Sequence, residues 1–249
     1  MKNCRSNETG EVLRFAVVLV AVFFSMAVGA QDPNLVGWWK FDEGAGNIAY
    51  DSSGYGNHCT LQVNSAYVND PNYVKIDSFV PGISGKALQL DGTWHTAYIP
   101  HDDILDPTKQ MTISVWLKAD ALEKSCWIFN KGDITRRYIG IDESSSGKYV
   151  LNFDVHTVEV STALTTPVTA AGFADNQWHL YTFVYDGEYA IIYRDGVVLN
   201  QRSCPGKISS GGNGTIYLGS CGNYCPTDNP GIAHYDGLMD DLRIYDRAL

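Results

Sequence analysis

The sequence predicts an all-β protein built from two packed antiparallel sheets, and three observations favour this class. Short segments of alternating apolar and polar residues recur along the chain, which is typical of strands with one face in a core. Two Asp-Gly pairs, Asp186-Gly187 and Asp195-Gly196, lie between such segments and predict two-residue hairpin turns. No amphipathic helix of useful length interrupts the pattern. Many short strands joined by turn residues indicate a β sandwich.

The strand segments follow one another from residue 35 to residue 245. Alternation is clearest in eight of them: 35–41, 86–90, 111–119, 149–156, 178–185, 189–194, 215–218 and 238–245. The stretch 178–199 contains both Asp-Gly turns and is predicted as a three-stranded meander. In segment 111–119, Ile113, Val115 and Leu117 share the face that we expect in the core. Because no repeat and no Pro/Ser linker divides the chain, we predict one domain over residues 31–249.

The first thirty residues predict a secretory signal. Three basic residues precede an apolar run at 15–28, which small residues close at Gly29 and Ala30. We therefore expect residues 1–30 to be removed, with an uncleaved anchor as the alternative. The run is short for a membrane span and no later stretch is long enough, so we expect a secreted or extracytoplasmic protein without a stable span after cleavage.

The charge of the chain argues against polyanionic partners. The sequence carries 18 basic and 28 acidic side chains, a net charge of −10. Removal of residues 1–30 takes away three basic and two acidic residues, which leaves 15 against 26, a net charge of −11. Such a surface repels phosphate and sulfate groups, and no basic stripe with interleaved aromatic residues is present, so nucleic acid is excluded as a partner.

The cysteines are read as disulfide candidates, because an exported chain meets an oxidising environment. Five lie beyond the signal segment, namely Cys59, Cys126, Cys204, Cys221 and Cys225. The odd number leaves one thiol free or paired with another chain. A zinc site at Cys221, Cys225 and His234 is disfavoured, because a fourth ligand at suitable spacing is missing.

The last strand segment carries an unexpected charge on its core-facing side. Asp240 has the same parity as Leu242 and Ile244 and is predicted to point inward, whereas Asp241 is predicted to be solvated. A buried carboxylate needs backbone N–H donors, a cation or a metal ion.

A candidate partner for Asp240 is the Gly-, Asn- and Ser-rich segment 42–58. Its G-x-G-x-x-A pattern does not predict a dinucleotide site, because no helix follows. Asp51 and Asn57 offer side-chain oxygens, and Ca²⁺ takes six to eight oxygen ligands. The alternative is a loop closed by Asx-turn hydrogen bonds, with Asp240 bonded to its amides.

Taken in order, five stretches resemble the bacterial LamG-like jellyroll domain of the concanavalin A-like lectin/glucanase superfamily. They are residues 35–58, 85–92, 111–119, 177–198 and 237–249. The resemblance implies a two-sheet antiparallel jellyroll sandwich in which the first and last strands are neighbours, which would bring Asp240 near the Asp51 loop. It also implies a binding or adhesive module, often with a structural Ca²⁺.

Carried over by position, the resemblance implies metal ligands at Asp51, Asn57 and Asp240, with Glu43 as a weaker fourth. Two stretches depart from the family pattern: Trp94 and His95 follow the Asp91-Gly92 turn, and the Cys-rich link 221–235 is long. Both are places where ligand specificity could have been added.

Catalysis is not expected from the sequence. The paired carboxylates that a retaining glycosidase needs on one strand are missing, and no Gly-x-Ser-x-Gly elbow is present. Asp154, with His156 two residues on, could do acid–base work, but this pair fits a polar strand face better. A glycan hydrolase or lyase is therefore the least favoured reading.

The partner expected instead is a neutral polysaccharide or glycoconjugate, or a cell-surface protein if the domain is structural. Sugars stack on aromatic rings and hydrogen-bond to polar side chains. The aromatic residues that lie in or beside predicted loops are the candidates for ligand binding: Trp94, His95, Tyr98, Tyr224 and Tyr235.

Overall fold

The computed structural model describes residues 32–63, 78–93, 95–122, 125–131, 137–143, 148–159, 161–209, 214–221 and 233–249. Their strands form two sheets that pack face to face in a jellyroll sandwich, which confirms the predicted fold class. Residues 32–249 form one compact unit. The signal segment lies outside the described residues, and the boundary at residue 31 stays a prediction.

Sheet A has eight described strands in the order β14-β13-β12-β7-β17-β5-β4, with β1 also paired to β17. Their bounds are β1 Leu35–Trp39, β4 Phe79–Pro81, β5 Lys86–Asp91, β7 Met111–Ala119, β12 His179–Tyr185, β13 Tyr189–Arg194, β14 Val197–Ser203 and β17 Asp236–Tyr245. The pairing of β1 with β17, in which Trp39 lies opposite Leu242, confirms that the first and last strands are neighbours. The predicted meander is β12-β13-β14.

Sheet B has nine described strands in the order β11-β10-β9-β8-β15-β6-β3-β2, with β16 also paired to β8. Their bounds are β2 Ile48–Ala49, β3 Cys59–Val63, β6 His95–Ile99, β8 Cys126–Lys131, β9 Arg137–Glu143, β10 Tyr149–His156, β11 Ser161–Val168, β15 Ile216–Leu218 and β16 Ala233–His234. The described helical segments are short: a 3₁₀ turn at Asp103–Leu105 and α1 at Ala170–Phe173. No described helix is long and apolar enough to cross a membrane.

The core lies between the two sheets, where the inward faces meet. Ile113, Val115 and Leu117 of β7 are almost fully buried, as the alternation predicted. Trp39 of β1 and Phe153 of β10 supply large buried rings from opposite sheets. Sheet B has a second face turned away from this core, and we call it the outward face of sheet B.

A bulge in β17 corrects the predicted orientation of Asp240. Asp240 lies opposite Trp116 and Arg243 lies opposite Ser114, so the two residues between them on β17 face a single residue of β7, Val115. Asp241, at φ 50°, is the extra residue. Asp240 therefore shares the face of Trp116, away from Leu242 and Ile244, and the prediction that it points into the core is wrong although its burial was foreseen.

Candidate functional site

The carboxylate of Asp51 closes its own loop. Oδ1 accepts hydrogen bonds from the backbone N–H groups of Trp38 at 3.0 Å and Ser53 at 2.8 Å. Oδ2 accepts from the Ser53 hydroxyl at 2.7 Å and from the backbone N–H of Asn57 at 3.0 Å. Four hydrogen-bond donors point at the two carboxylate oxygens of Asp51, so the lone pairs of these oxygens are already occupied. This arrangement does not fit a calcium ion bound to Asp51 and favours the hydrogen-bonded loop.

Asp240 binds a different turn from the one predicted. Its side chain is 1% exposed, and Oδ2 accepts from the backbone N–H groups of Ile83 at 2.9 Å and Ser84 at 3.3 Å. These residues lie in the turn between β4 and β5, which covers the carboxylate. Burial raises the pKa of Asp240 to about 6, although the bonds from Ser84 and Ile83 lower it in part.

Glu43 and Asn57 also serve the glycine-rich segment. Glu43 Oε1 accepts from the backbone N–H of Tyr50 at 2.7 Å, and the backbone carbonyl of Asn57 accepts from the Trp39 indole N–H at 2.8 Å. Among the described residues there is no group of three or more His, Cys, Asp or Glu side chains that could hold a metal ion. The carboxylates of Asp51, Asp240 and Glu43 and the backbone carbonyl of Asn57 therefore act as separate hydrogen-bonding groups here, and the predicted calcium site is left to be tested by titration.

The cysteines differ from one another. Cys59, Cys126 and Cys204 are buried thiols inside the sandwich, so the structure does not support disulfides at these three positions. Burial and the nearby charge of Glu43 raise the pKa of the Cys59 thiol far above its usual value. Cys221 is disulfide-bonded. Cys225 lies outside the described residues.

Of the predicted ligand contacts, His95 and Tyr235 are inside the protein. His95 is 5% exposed, and its Nδ1 lies 2.7 Å from Oδ2 of Asp91. Tyr235 is 1% exposed, and burial raises its pKa well above the usual value. Both side chains therefore hold the end of the sandwich together. Trp94 and Tyr224 lie outside the described residues.

Among the described residues predicted to bind ligand, Tyr98 reaches the surface. Its neighbours Ala97 and Ile99 are fully buried, so the half-buried Tyr98 ring lies on the outward face of sheet B. Tyr217 of β15 lies directly opposite it in the register, and Thr60 of β3 lies on its other side. Aromatic side chains directly opposite one another on antiparallel strands form a shared surface.

A groove of about 430 Å³ lies along this tyrosine pair. Polar side chains line most of the rest of it, and the lining comprises Asn47, Thr60, Leu61, Gln62, Tyr98, Thr215 and Tyr217. Tyr217 was missed by the sequence reasoning. The signal was available, because Ile216 and Leu218 on either side of it alternate inward.

The same face becomes more polar toward β9 and β10. The Asn152 amide donates a hydrogen bond to Asp142 across these strands. Asp154 is half-buried, and its burial, followed by the charge of Asp142, raises its pKa to about 6. His156 is half-buried two residues further along β10. Asp154 and His156 thus lie on a polar strand face, with β8 and β9 between them and the groove.

Comparison with known proteins assigns the family. Residues 91–249 match the sequence model of the concanavalin A-like lectin/glucanases superfamily, which is well over half of the chain. The chain belongs to this superfamily as a LamG-like jellyroll domain. A search of curated proteins for relatives of the sequence found no match.

Solved structures share the LamG-like fold at low identity. Domain 4 of AbnA, a GH43 extracellular arabinanase from Geobacillus stearothermophilus solved with arabinotriose, aligns at a TM-score of 0.59 and 22% identity, over 87% of this chain and 94% of that one. The binding domain of Paraclostridial Mosquitocidal Protein 1 aligns at a TM-score of 0.63 and 18% identity, over 87% of this chain and 49% of that one.

A third neighbour is the binding domain of botulinum neurotoxin DC, solved with rat synaptotagmin II. It aligns at a TM-score of 0.59 and 13% identity, over 87% of this chain and 49% of that one. The chain spans about half the length of the two toxin domains. At these identities the likeness shows the fold, and function has to be argued from the site.

Proposed function

We propose that this chain is a secreted, non-catalytic carbohydrate-binding module that holds a neutral polysaccharide on the outward face of sheet B. The observation that carries the proposal is the pair formed by Tyr98 and Tyr217, two half-buried rings opposite each other on adjacent strands and beside a groove. Aromatic rings contact the C–H faces of sugars, and polar side chains fix the hydroxyl groups. Thr60, Gln62 and Asn47 supply such groups around the rings.

The charge of the chain supports a neutral ligand. A net charge of −10 opposes sulfated and uronic acid chains. Binding at the tyrosine pair needs no metal ion, because the contacts are ring faces and hydrogen bonds. The arabinotriose complex of the domain 4 neighbour is in keeping with a sugar ligand on this fold.

A glycan array followed by isothermal titration calorimetry tests the proposal. The wild type is expected to bind at least one neutral polysaccharide, with equal affinity in calcium and in chelator, and to bind no sulfated chain. Tyr217→Ala and Tyr98→Ala are each expected to weaken binding at least tenfold, a loss of about 1.4 kcal/mol. Tyr193→Ala, which removes a tyrosine of sheet A that is half-buried like Tyr98 and Tyr217, is the matched control. Equal binding by all four proteins would refute the proposed site.

Two further measurements test whether the protein cleaves glycans and whether it is secreted. Incubation with the bound polysaccharide is expected to release no new reducing ends, and release that Asp154→Asn abolishes would favour a hydrolase instead.

Protein recovered from the medium of an expressing culture is expected to begin at Gln31. An intact Met1 terminus on membrane-bound protein would contradict the signal assignment.

A protein partner at the cell surface is the second candidate, and the edge of sheet A favours it. Among the described strands, β14 pairs only with β13, and its Val197, Val198 and Leu199 are 66%, 48% and 39% exposed. An exposed apolar edge is a surface to which another chain can add a strand. A surface partner lost on Val198→Lys, with glycan binding unchanged, would support this candidate.

A further inference from the structure

The outward face of sheet B continues past the tyrosine pair across β8, β9 and β10. Asn130 of β8 lies opposite Tyr217, and the register runs on through position 138 of β9 to Asp154 of β10. Asn152 lies two residues from Asp154 on the same strand and therefore on the same face. One row of side-chain positions thus joins the groove to the polar part of the face.

Among the described side chains on this part of the face, four polar atoms have no hydrogen-bond partner. They are Nδ2 and Oδ1 of Asn130, Oδ1 of Asn152 and Oδ1 of Asp154. Asn130 is fully buried and Asn152 is 3% exposed. Buried polar atoms in native proteins are nearly always satisfied, so four orphaned atoms on one face of neighbouring strands call for a partner from outside the fold.

We infer that β8, β9 and β10 form a second, polar half of the binding face, in which Asn130, Asn152 and Asp154 hydrogen-bond the hydroxyl groups of a linear neutral sugar chain whose adjoining units stack on Tyr98 and Tyr217. This inference rests on the proposed function. Amide and carboxyl groups together donate to and accept from hydroxyl groups, which are themselves both donors and acceptors. Such hydroxyl groups would supply the hydrogen-bond partners that these buried side-chain atoms lack.

The geometry sets the length and the charge of the ligand. Four strand spacings separate β6 from β10, which is about 19 Å and corresponds to about four sugar units in an extended chain. A ligand that runs across the strands therefore uses both halves only when it reaches this length. Asp142 and Asp154 lie at the far end, where they oppose uronic acid units.

Calorimetry with linear arabino-, xylo- and cello-oligosaccharides of two to six units tests the inference. In the series that binds, the affinity is expected to rise at least tenfold from two units to about four and then to level off. Asn152→Ala is expected to weaken binding of the five-unit chain at least tenfold and to change binding of the two-unit chain less than twofold. Gln201→Ala, on the exposed edge strand β14, is the control and should match the wild type.

Asn130→Leu separates a ligand-binding role from a structural one. It removes two orphaned atoms and keeps a similar volume, so we expect an equal or higher melting temperature together with weaker binding of the five-unit chain. A lower melting temperature would mean that the amide is structural and would overturn its assignment.

The binding measurements distinguish a wrong polar half of the face from a wrong proposed function. If the affinity levels off at two units and both asparagine variants bind as the wild type does, while Tyr217→Ala still loses binding, the polar half is wrong and the tyrosine site stands. If no neutral oligosaccharide or polysaccharide binds, both fail.

Discussion

Replacing Asp240 with alanine should loosen the turn between β4 and β5 from the sheet. The carboxylate is buried and receives two backbone N–H groups, from Ile83 at 2.9 Å and from Ser84 at 3.3 Å. The protonated carboxyl of Asp240 also accepts these hydrogen bonds, each of which contributes about 0.5–1.5 kcal/mol, and alanine would leave the two N–H groups without this acceptor. We therefore expect Asp240→Ala to lower the free energy of unfolding by about 2–4 kcal/mol at pH 5, where most of the folded carboxyl is protonated.

The measurement is urea denaturation followed by tryptophan fluorescence, with the midpoint and slope fitted separately. An unchanged slope shows that the stability changed and the unfolded state did not. Asp241→Ala is the control variant, because it removes the neighbouring carboxylate, which is half-buried rather than fully buried. A loss below about 0.5 kcal/mol for Asp240→Ala would refute the claim that its carboxylate anchors the turn.

The pH dependence of the free energy of unfolding gives a second check on Asp240. The folded pKa of Asp240 is raised to about 6, whereas an unfolded aspartate titrates near 3.9. Its contribution to stability is therefore fully present below about pH 4 and is lost as the pH rises through 6. The wild type should be less stable at pH 7.5 than at pH 5, and Asp240→Asn, which does not titrate, should lose about 1–2 kcal/mol less over this interval. Identical pH profiles for the two proteins would contradict the raised pKa.

Three further predictions concern calcium, a thiol and a glycine. Adding Ca²⁺ should shift the melting temperature by less than about 1 °C, because four donors already occupy Asp51; a clear rise that a chelator reverses would instead reveal a calcium site. The Cys59 thiol should react with a disulfide reagent about 100-fold more slowly in the native protein than in urea, and fast native labelling would show that its burial is wrong. Gly37→Ala should cost about 1–3 kcal/mol of stability in urea denaturation, because its Cβ would lie 2.5 Å from the Trp39 ring, and a neutral effect would show that the ring can move.

The long alternating strands were predictable from the sequence, whereas β8 was not. The alternation in β7 and the Asp-Gly turns of the β12-β13-β14 meander follow from period-two burial and turn chemistry, and both are seen. Strand β8 reads CWIFNK, with no alternation, and was missed. Its register shift between Trp127 and Phe129 breaks the period of two.

The candidate site was predictable only in part, because it depends on the order of strands in the sheet. Tyr98 was selected from the sequence, but its partner Tyr217 lies more than a hundred residues away and meets it only through the pairing of β6 with β15. The orphaned atoms of Asn130 depend on three-dimensional packing, which no local pattern encodes. The orientation of Asp240 was wrong for a related reason, since the bulge at Asp241 needs a residue at positive φ that alternation does not reveal.

The central place of β17 in sheet A has a consequence for biogenesis. β17 joins β1, β5 and β7, so the middle of this sheet stays open until residues 236–245 emerge from the ribosome. Contacts between residues this far apart in sequence form slowly. Sheet A therefore cannot be completed before β17 has been synthesised, and we expect a chain that folds this late to suit the export proposed above.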